Sequence, residues 1–297
     1  MRVVVTGRSG QVVCALIELC SPEHEIIALG RPRLDLTAPQ EAIIATLRGA
    51  DPQIIISAAA YTQVDKAESE PELAFAVNES GARAVATAAR ELNVPLIHLS
   101  TDYVFDGKKA EPYVEDDQTN PQTVYGASKL AGERAVLAEH VDAAVLRTAW
   151  IYSPFGTNFA KTMLRLAQQR EQISVVADQH GNPTSALDIA EALIKIASNL
   201  LVNDDENLRG IFHMTGSDEA TWAELAEGIF SASSQCGGPS ATVISIPTAQ
   251  YPTPAKRPPN SRLNSTRLEQ IHNVRLPNWR NSVQPVVSRL VNEGGVY

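Results

Sequence analysis

Tyr125 and Lys129 form the strongest chemical signal in the sequence, because they lie four residues apart in a segment with helical periodicity. Side chains at this spacing project from one face of a helix. Upstream, the hydroxyl of Thr101 follows an apolar segment that predicts a strand. A phenol beside an ammonium suits proton donation to a carbonyl, because the positive charge stabilises the phenolate and lowers the phenol pKa. An isolated Tyr/Lys pair is also typical of an exposed helix, but the hydroxyl at the strand end favours a reductase site.

A glycine-containing turn, Gly7 to Gln11, lies between the first predicted strand and the first predicted helix. Glycines at such a turn let the backbone approach a pyrophosphate, whose charge the helix N-terminus stabilises. Val13 stands where the complete motif has a third glycine. We expect this valine to widen the helix–strand approach or tilt the helix without removing the amides that face the phosphates. The turn therefore predicts a dinucleotide site.

The residues after the second predicted strand indicate which nicotinamide cofactor binds. NAD-specific sheets of this type usually end that strand with Asp or Glu, which accepts hydrogen bonds from the ribose hydroxyls. Here Arg31 follows the strand, and the nearest acid, Asp35, comes later. A guanidinium binds a 2′-phosphate through two charge-assisted hydrogen bonds. We predict NADPH, with NADH use still open, and with Arg31 as the main contact and Arg8 as a second. The alternative is that Arg31 is a solvated loop residue.

The elements that position these residues alternate between strands and helices. Strands that are apolar on both faces and separated by helices predict a parallel sheet covered on both sides, a doubly wound α/β fold. We predict a Rossmann-like nucleotide domain over residues 1–150, with a returning segment near 182–216, and a smaller C-terminal α/β substrate domain over 151–297. The predicted strands cover 2–6, 25–29, 53–57, 95–100, 143–149, 173–177, 211–214 and 242–246. The main predicted helices cover 11–20, 39–48, 71–92, 125–140, 158–169, 185–199 and 221–231.

Composition and charge argue against several classes of protein. The 297 residues are 44% hydrophobic and 20% charged, an ordinary globular composition. The longest apolar runs are a few residues, too short to span a bilayer. The net charge of −9 argues against a nucleic-acid partner. Three cysteines without metal-type spacing fit reduced thiols, and a strand directly after Met1-Arg2 leaves no room for a signal peptide, so we expect a cytoplasmic protein.

A proline-rich segment near the C terminus leads into a basic cluster. Six Lys or Arg residues lie between Lys256 and Arg280, against one acid, Glu269. A solvated surface is the usual explanation for such a cluster. Because an acidic protein concentrates positive charge on a rigid loop here, the segment also favours an anion site.

Eight motifs lie along the chain, at residues 7–12, 58–68, 100–107, 124–133, 147–150, 158–163, 178–184 and 251–263. Together they resemble the extended short-chain dehydrogenase/reductases, and within them the family of dTDP-4-dehydrorhamnose reductases. The resemblance covers nearly the whole chain, and its last motif points most narrowly to that family. It implies reduction of the 4-keto group of dTDP-4-dehydro-6-deoxy-L-mannose (dTDP-4-dehydro-L-rhamnose) by hydride from NADPH.

The resemblance also implies a role for individual residues. Tyr125 gives the proton, Lys129 lowers its pKa and binds the nicotinamide ribose, and Thr101 contacts the keto oxygen. The implied cofactor-binding residues are Gly7, Gly10, Gln11, Val12, Arg31, Asp35, Leu36, Ala60, Tyr61, Thr62, Tyr125 and Lys129. The implied substrate-binding residues are Thr101, Asp102, Trp150, Asn158, Lys256, Arg257 and Arg262. Two alternatives stay open: Trp150 as a core aromatic, and Asn78, in the long helix, as a structural residue.

Two other functions are compatible with the same fold. A related sugar-nucleotide reductase or epimerase would share the three catalytic residues, whereas a non-catalytic regulatory subunit would not need all three. Some reductases of this family pair two subunits through magnesium held by glutamates. Two of those positions here are Ala15 and Leu187, which cannot ligate a hard cation. We therefore predict no metal, and a monomer or a homodimer without a bridging metal.

Overall fold

The computed structural model describes residues 1–293 as twelve strands and eleven α-helices. The strands are β1 (Arg2–Thr6), β2 (Glu25–Leu29), β3 (Ile54–Ser57), β4 (Leu96–Thr101), β5 (Ala143–Thr148), β6 (Ile151–Tyr152), β7 (Gln172–Val176), β8 (His180–Gly181), β9 (Thr184–Ser185), β10 (Gly210–His213), β11 (Ala220–Thr221) and β12 (Thr242–Ile246). The helices are α1 (Gln11–Glu18), α2 (Gln40–Arg48), α3 (Val64–Ala67), α4 (Pro71–Phe75), α5 (Ala82–Leu92), α6 (Val124–Glu139), α7 (Phe159–Ala167), α8 (Ala186–Val202), α9 (Trp222–Gln235), α10 (Thr266–His272) and α11 (Trp279–Asn292).

A six-stranded parallel sheet forms the centre of the fold, in the order β10-β5-β4-β3-β1-β2. Every residue of β3, β4 and β5 is buried, as expected for strands with helices on both faces. Strands β2 and β3, which follow β1 in the chain, pair with opposite edges of β1, so the strand order reverses there. Ligands of doubly wound sheets bind at such a reversal, beside the carboxyl ends of the strands. The predicted fold class is confirmed.

The chain after residue 150 contributes to two different layers. Strand β10 pairs with β5, and α8 packs against α1, so both belong to the central sheet and its cover. A second apolar core lies between α7, α9 and α11 and includes Leu164, Ile229, Trp279 and Val287. Beside this core, β7 and β12 form a two-stranded parallel sheet. Within residues 1–293, no helix combines the length and apolarity needed to cross a membrane.

Several features differ from the sequence-based expectations. The predicted long helix over 71–92 is interrupted by a π-helical turn, Ala76–Gly81, between α4 and α5. Helices α10 and α11 were not predicted, because the prolines and basic residues of this region indicated a loop. Two asparagines of this region cap these helices. Asn278 begins α11, and its side chain accepts a hydrogen bond from Arg280 N at 3.0 Å. Asn273 ends α10 in the left-handed conformation.

The positive charge that the sequence concentrates over 256–280 is largely compensated by ion pairs, and the anion site stays a prediction. Five of its six cations form ion pairs, four of them with carboxylates from distant segments. These pairs are Arg257 with Asp65, Arg262 with Glu219, Arg267 with Asp116 and Glu115, Arg275 with Glu269, and Arg280 with Asp218.

Candidate active site

A cleft of about 460 Å³ lies at the carboxyl ends of the central strands. The sequence predicted ten of its lining residues, namely Gly10, Gln11, Val12, Ala60, Thr62, Thr101, Asp102, Tyr125, Lys129 and Trp150. It missed Ser9, Val13, Ala58, Val64, Leu99, Ser100, Tyr103, Thr148, Ala149, Ile151, Gly156 and Thr157. Thr148 and Ala149 could have been found, because they end the predicted strand next to the one that ends at Thr101.

The N-terminus of α6 places Tyr125 in the cleft. Thr123 caps this helix by accepting a hydrogen bond from Gly126 N at 3.0 Å. Gly126 lies so close to the segment after β4 that a Cβ atom there would be 2.2 Å from Tyr103 O. The helix therefore starts against the end of β4, and its first turn brings Tyr125 beside Thr101 and Tyr103. The rings of Tyr103 and Tyr125 pack edge to face, with centroids 5.6 Å apart.

The pKa values of Tyr125 and Lys129 are set mainly by burial. Burial raises the pKa of Tyr125 to about 12, although the nearby Thr101 hydroxyl opposes this shift. Burial lowers the pKa of Lys129 to about 8, against the opposing charge of Glu133. Lys129 Nζ donates to Leu99 O at 2.6 Å. Burial thus outweighs any lowering of the phenol pKa by the ammonium in this structure, and stabilisation of the phenolate by Lys129 stays a prediction. A phenol with this pKa carries its proton at neutral pH, and it can give that proton up once the accepting oxygen is more basic than the phenolate.

Thr101 and Asp102 form a buried polar pair at the end of β4. Thr101 Oγ1 donates to Asp102 Oδ1 at 2.9 Å, and Tyr103 N donates to Thr101 Oγ1 at 3.2 Å. Asp102 Oδ2 is buried and has no hydrogen-bond partner within the described residues. Burial raises the pKa of Asp102 to about 6, with the hydroxyls of Ser261 and Thr101 opposing this shift. A buried acceptor without a partner in the lining of a cleft is suited to a ligand hydroxyl.

A fully buried ion pair lies behind these residues. Glu133, one helical turn after Lys129, accepts hydrogen bonds from Arg147 Nε at 2.9 Å and from Arg147 Nη2 at 2.7 Å. The side chains are 1% and 2% exposed. Ser100 Oγ also donates to Glu133. This network joins α6 and β4, which carry the catalytic candidates, to the carboxyl end of β5.

The turn between β1 and α1 has the features of a phosphate site. Gly7 has a φ of +110°, a conformation that favours glycine, and a Cβ atom there would lie 3.0 Å from Val13 Cγ2. Gly10, the N-cap residue of α1, provides no side-chain cap. The first amides of the helix are therefore available to an anion. These residues fit the pyrophosphate of a dinucleotide.

The side chain of Gln11 connects this turn to the segment after β6. Ser153 Oγ donates to Gln11 Oε1 at 2.8 Å. Asn158 begins α7 by accepting from Lys161 N at 3.1 Å, and its amide donates to Ser153 O at 2.9 Å and Phe155 O at 3.1 Å. Asn158 lies outside the cleft lining and shapes the loop that carries Gly156 and Thr157 into it. Its role as a substrate ligand stays a prediction.

The residues predicted to select NADPH lie outside the cleft lining. Arg31 is 67% exposed and lies 3.4 Å from a carboxylate oxygen of Asp35. Asp35 accepts hydrogen bonds from Thr37 N at 2.9 Å and Thr37 Oγ1 at 2.8 Å. Leu36 is buried in the core that includes α2 and α5. Arg31 is therefore free to reorient towards a phosphate, whereas the side chain of Leu36 is not.

Trp150 is held in a strained backbone conformation by aromatic packing. Its φ is +46°, unusual for a residue with a side chain. Its ring stacks on Trp222, with centroids 3.6 Å apart and planes within 5°. On Gly181, a Cβ atom would lie 2.3 Å from the Trp150 ring. Trp150 is therefore packed as a core aromatic and also lines the cleft, so a structural role and a role in substrate binding are compatible.

The three basic candidates are placed differently. Arg262 donates to Asn260 Oδ1 at 2.8 Å, to Glu219 and to the Ala110 carbonyl, and it lies outside the cleft lining. Lys256 and Arg257 line a separate groove of about 460 Å³ that includes Tyr251 and the neighbouring prolines. Arg257 Nη2 donates to Asp65 Oδ2 at 2.6 Å, while Nη1 is buried without a partner within the described residues.

Comparisons with known proteins agree with this arrangement. The family model described as the RmlD substrate binding domain matches residues 1–292. The chain belongs to this family. It is 51% identical over 294 residues to the dTDP-4-dehydrorhamnose reductase of Sinorhizobium fredii, with 99% of each chain covered. It is 40% identical to the enzyme of the same name from Escherichia coli K12, covering 99% of this chain and 98% of the relative.

Solved structures support the same assignment. A Bacillus anthracis dTDP-4-dehydrorhamnose reductase, solved in complex with NADP, is 35% identical and superposes with a TM-score of 0.88 over 96% of this chain and 98% of that one. A Thermus thermophilus UDP-glucose 4-epimerase is 21% identical, with a TM-score of 0.75 over 97% and 98% of the two chains. The second likeness is one of fold alone. The family resemblance inferred from the motifs is confirmed.

Proposed function

We propose that the protein reduces the 4-keto group of dTDP-4-dehydro-6-deoxy-L-mannose to give dTDP-L-rhamnose, with NADPH as its cofactor. The observation that carries this proposal is the meeting of Thr101, Tyr125 and Lys129 in one cleft, in a chain 51% identical to a dTDP-4-dehydrorhamnose reductase. When bound, NADPH supplies the hydride. Gly7, Gly10, Gln11 and Val12 would hold its pyrophosphate.

The proton of the reduction comes from Tyr125. As the keto oxygen gains negative charge, it becomes a strong base and accepts the phenol proton, and the buried Lys129 ammonium stabilises the phenolate left behind. Besides its bond to Leu99 O, the ammonium has two further N–H donors for the phenolate and the ribose. Thr101 donates to the same oxygen when its hydroxyl proton turns away from Asp102 Oδ1, because the hydroxyl has a single proton to donate. The net result is one hydride and one proton added to the carbonyl.

The sugar of the substrate would lie in the cleft, and its diphosphate in the groove lined by Lys256 and Arg257. Asp102 and Trp150, which both line the cleft, suit the hydroxyls of a hexose. Lys256 and the free Nη1 donor of Arg257 suit the diphosphate better than Arg262 does, because the polar contacts of Arg262 are already made within the protein. We retain the division into a nucleotide domain, residues 1–150 with a returning segment near 182–216, and a substrate domain over most of 151–297.

The proposed assembly is a monomer or a homodimer without a bridging metal. Ala15 is buried in α1, and Leu187 lies in α8, which packs against α1. Neither side chain offers an oxygen to magnesium. A cytoplasmic location stays a prediction from the cysteine content.

The test is to follow NADPH absorbance with dTDP-4-dehydro-L-rhamnose generated in place from dTDP-glucose by the upstream enzymes. We expect oxidation of NADPH that depends on this protein and on the complete mixture. Cofactor binding without turnover would favour a different hexose or a regulatory subunit. Repeating the assay with UDP-linked keto sugars separates those two outcomes.

A further inference from the structure

The indole ring of Trp150 lines the cleft from a backbone conformation that needs support. Its φ of +46° lies in the left-handed region, which costs energy for a residue with a side chain and persists only where the surrounding structure fixes it. The ring shares the cleft lining with Thr101 and Asp102. The contacts that hold Trp150 in this conformation therefore also set the shape of the cleft.

Two residues of a small antiparallel strand pair contact this ring. Strands β8 and β11 pair with Gly181 opposite Ala220. A Cβ atom on Gly181 would lie 2.3 Å from the Trp150 ring, so the absence of a side chain there allows the close approach. Trp222 directly follows β11 and stacks on Trp150, with centroids 3.6 Å apart and planes within 5°. Both contacts thus come from the same strand pair and its first following residue.

Trp222 is itself fixed by its neighbours. It is the first residue of α9, whose N-cap Thr221 forms a capping box with Glu224. Its Nε1 donates to Gln179 Oε1 at 3.2 Å, and the ring of Phe159 packs against it with centroids 4.8 Å apart. The Trp222 indole is therefore held both by packing and by a hydrogen bond from its polar edge.

Gln179 connects this stack to the groove that contains Lys256 and Arg257. It is 6% exposed, and its Nε2 donates to Thr248 Oγ1 at 3.0 Å. Thr248 Oγ1 donates in turn to Asp178 Oδ1 at 2.6 Å, and both of these residues line the groove. A continuous chain of contacts thus runs from the groove proposed for the diphosphate to the ring that lines the cleft.

We propose that Trp222 is a positioning residue for the hexose of the substrate, because it holds the Trp150 ring in the wall of the cleft. This inference rests on the proposed function, since Trp150 contacts a sugar only where a sugar nucleotide is the substrate. Without the Trp222 ring, Trp150 loses the contact that offsets its strained backbone, and its ring leaves the cleft wall for part of the time. Binding of the sugar nucleotide then weakens, whereas cofactor binding at the turn between β1 and α1 does not.

The experiment is a double-mutant cycle between Trp222→Leu and Trp150→Ala. Two readouts are used: the KM for dTDP-4-dehydro-L-rhamnose, and the Kd for NADP⁺ by titration calorimetry. Alone, Trp222→Leu should raise KM about 2- to 10-fold, the size of the contribution of an aromatic pair, and should leave Kd unchanged. Added to Trp150→Ala, it should leave KM unchanged, because the contact between the two residues is already lost.

A matched control comes from the same helix. Phe230 lies on α9, is 3% exposed and packs in the core between α7, α9 and α11, outside the cleft lining. Phe230→Leu also removes an aromatic ring from α9 and should change neither KM nor Kd. A rise in KM confined to Trp222→Leu therefore does not come from a general loss of stability.

The outcomes separate the two proposals. A wild-type protein that does not oxidise NADPH with this substrate refutes the proposed function. Turnover by the wild type together with an unchanged KM in Trp222→Leu refutes the role of Trp222, and so does a rise in KM that persists in the Trp150→Ala background. Should Trp222→Leu not fold, Trp222→Phe keeps an aromatic ring but loses the bond to Gln179. A smaller rise in KM that disappears with Trp150→Ala is expected for it, and a wild-type KM would overturn the inference.

Discussion

Replacing Glu133 by Gln should destabilise the protein strongly, because it leaves the charge of Arg147 buried without a counter-charge. Both side chains are almost fully buried, and the carboxylate accepts two hydrogen bonds from the guanidinium. Breaking such a pair costs roughly 3–5 kcal/mol. At about 2–4 °C per kcal/mol for larger domains, the melting temperature should fall by roughly 6–20 °C.

A matched control lies on the same helix. Glu139, at the end of α6, pairs with Arg90 at 2.5 Å, but the Arg90 side chain is 53% exposed. Exposed pairs contribute about 1 kcal/mol or less, so Glu139→Gln should lower the melting temperature by at most a few degrees. The assay is thermal unfolding of the two variants and the wild type in the same buffer.

A double variant tests whether the cost comes from the unpaired charge. Glu133→Leu combined with Arg147→Met removes both charges, and apolar replacement of a buried pair is often neutral or stabilising. We expect it to recover most of the stability lost in Glu133→Gln. The reasoning fails if Glu133→Gln is as stable as Glu139→Gln, or if the double variant is no more stable than the single one.

Four further outcomes are expected. Tyr125→Phe should lower kcat at least about 100-fold, since general acid catalysis contributes about 10²- to 10⁴-fold. Its Kd for NADP⁺ should stay close to that of the wild type, and near-normal turnover would show that Tyr125 is not the acid. Arg31→Ala should raise the KM for NADPH about 10-fold, because a charge-assisted hydrogen bond to the 2′-phosphate is lost. The KM for NADH should change little, and equal effects on both cofactors would count against a phosphate contact. The pKa of Lys129 is about 8, so its ammonium is present below that pH and is lost above it. We therefore expect kcat/KM to fall as the pH rises through about 8. Glu133→Gln should move this fall to lower pH, because the carboxylate of Glu133 raises the pKa of Lys129, and an unmoved fall would assign it to another group. Light scattering should give the same mass with and without EDTA, and a chelator-induced change would contradict the assembly without a bridging metal.

The parts of the site that depend on short-range spacing were predictable from the sequence. Tyr125 and Lys129 lie one helical turn apart, so any helix places them together. The glycine turn and the ends of the strands follow from the parallel sheet, whose carboxyl edges meet on one side. These features locate the catalytic end and the phosphate end of the cleft without any information on tertiary contacts.

The remaining features depend on contacts between distant segments. Arg257 pairs with Asp65 across 192 residues, so the sequence shows the cation without its partner. The stack of Trp150 on Trp222 and the burial that raises the pKa of Tyr125 likewise arise from tertiary packing. The π-helical turn at Ala76–Gly81 has no periodicity signal of its own, because a continuous helix fits the same residues.

The most direct test of the proposed reaction is to follow the hydride itself. The protein is incubated with dTDP-4-dehydro-L-rhamnose and NADPH deuterated at C4 of the nicotinamide, on the face from which hydride leaves, and the sugar product is analysed by NMR and mass spectrometry. The account predicts dTDP-L-rhamnose with one deuterium at C4 of the hexose for each NADPH oxidised, and greatly reduced product with Tyr125→Phe. A product without deuterium, or a sugar altered without net oxidation of NADPH, would contradict it.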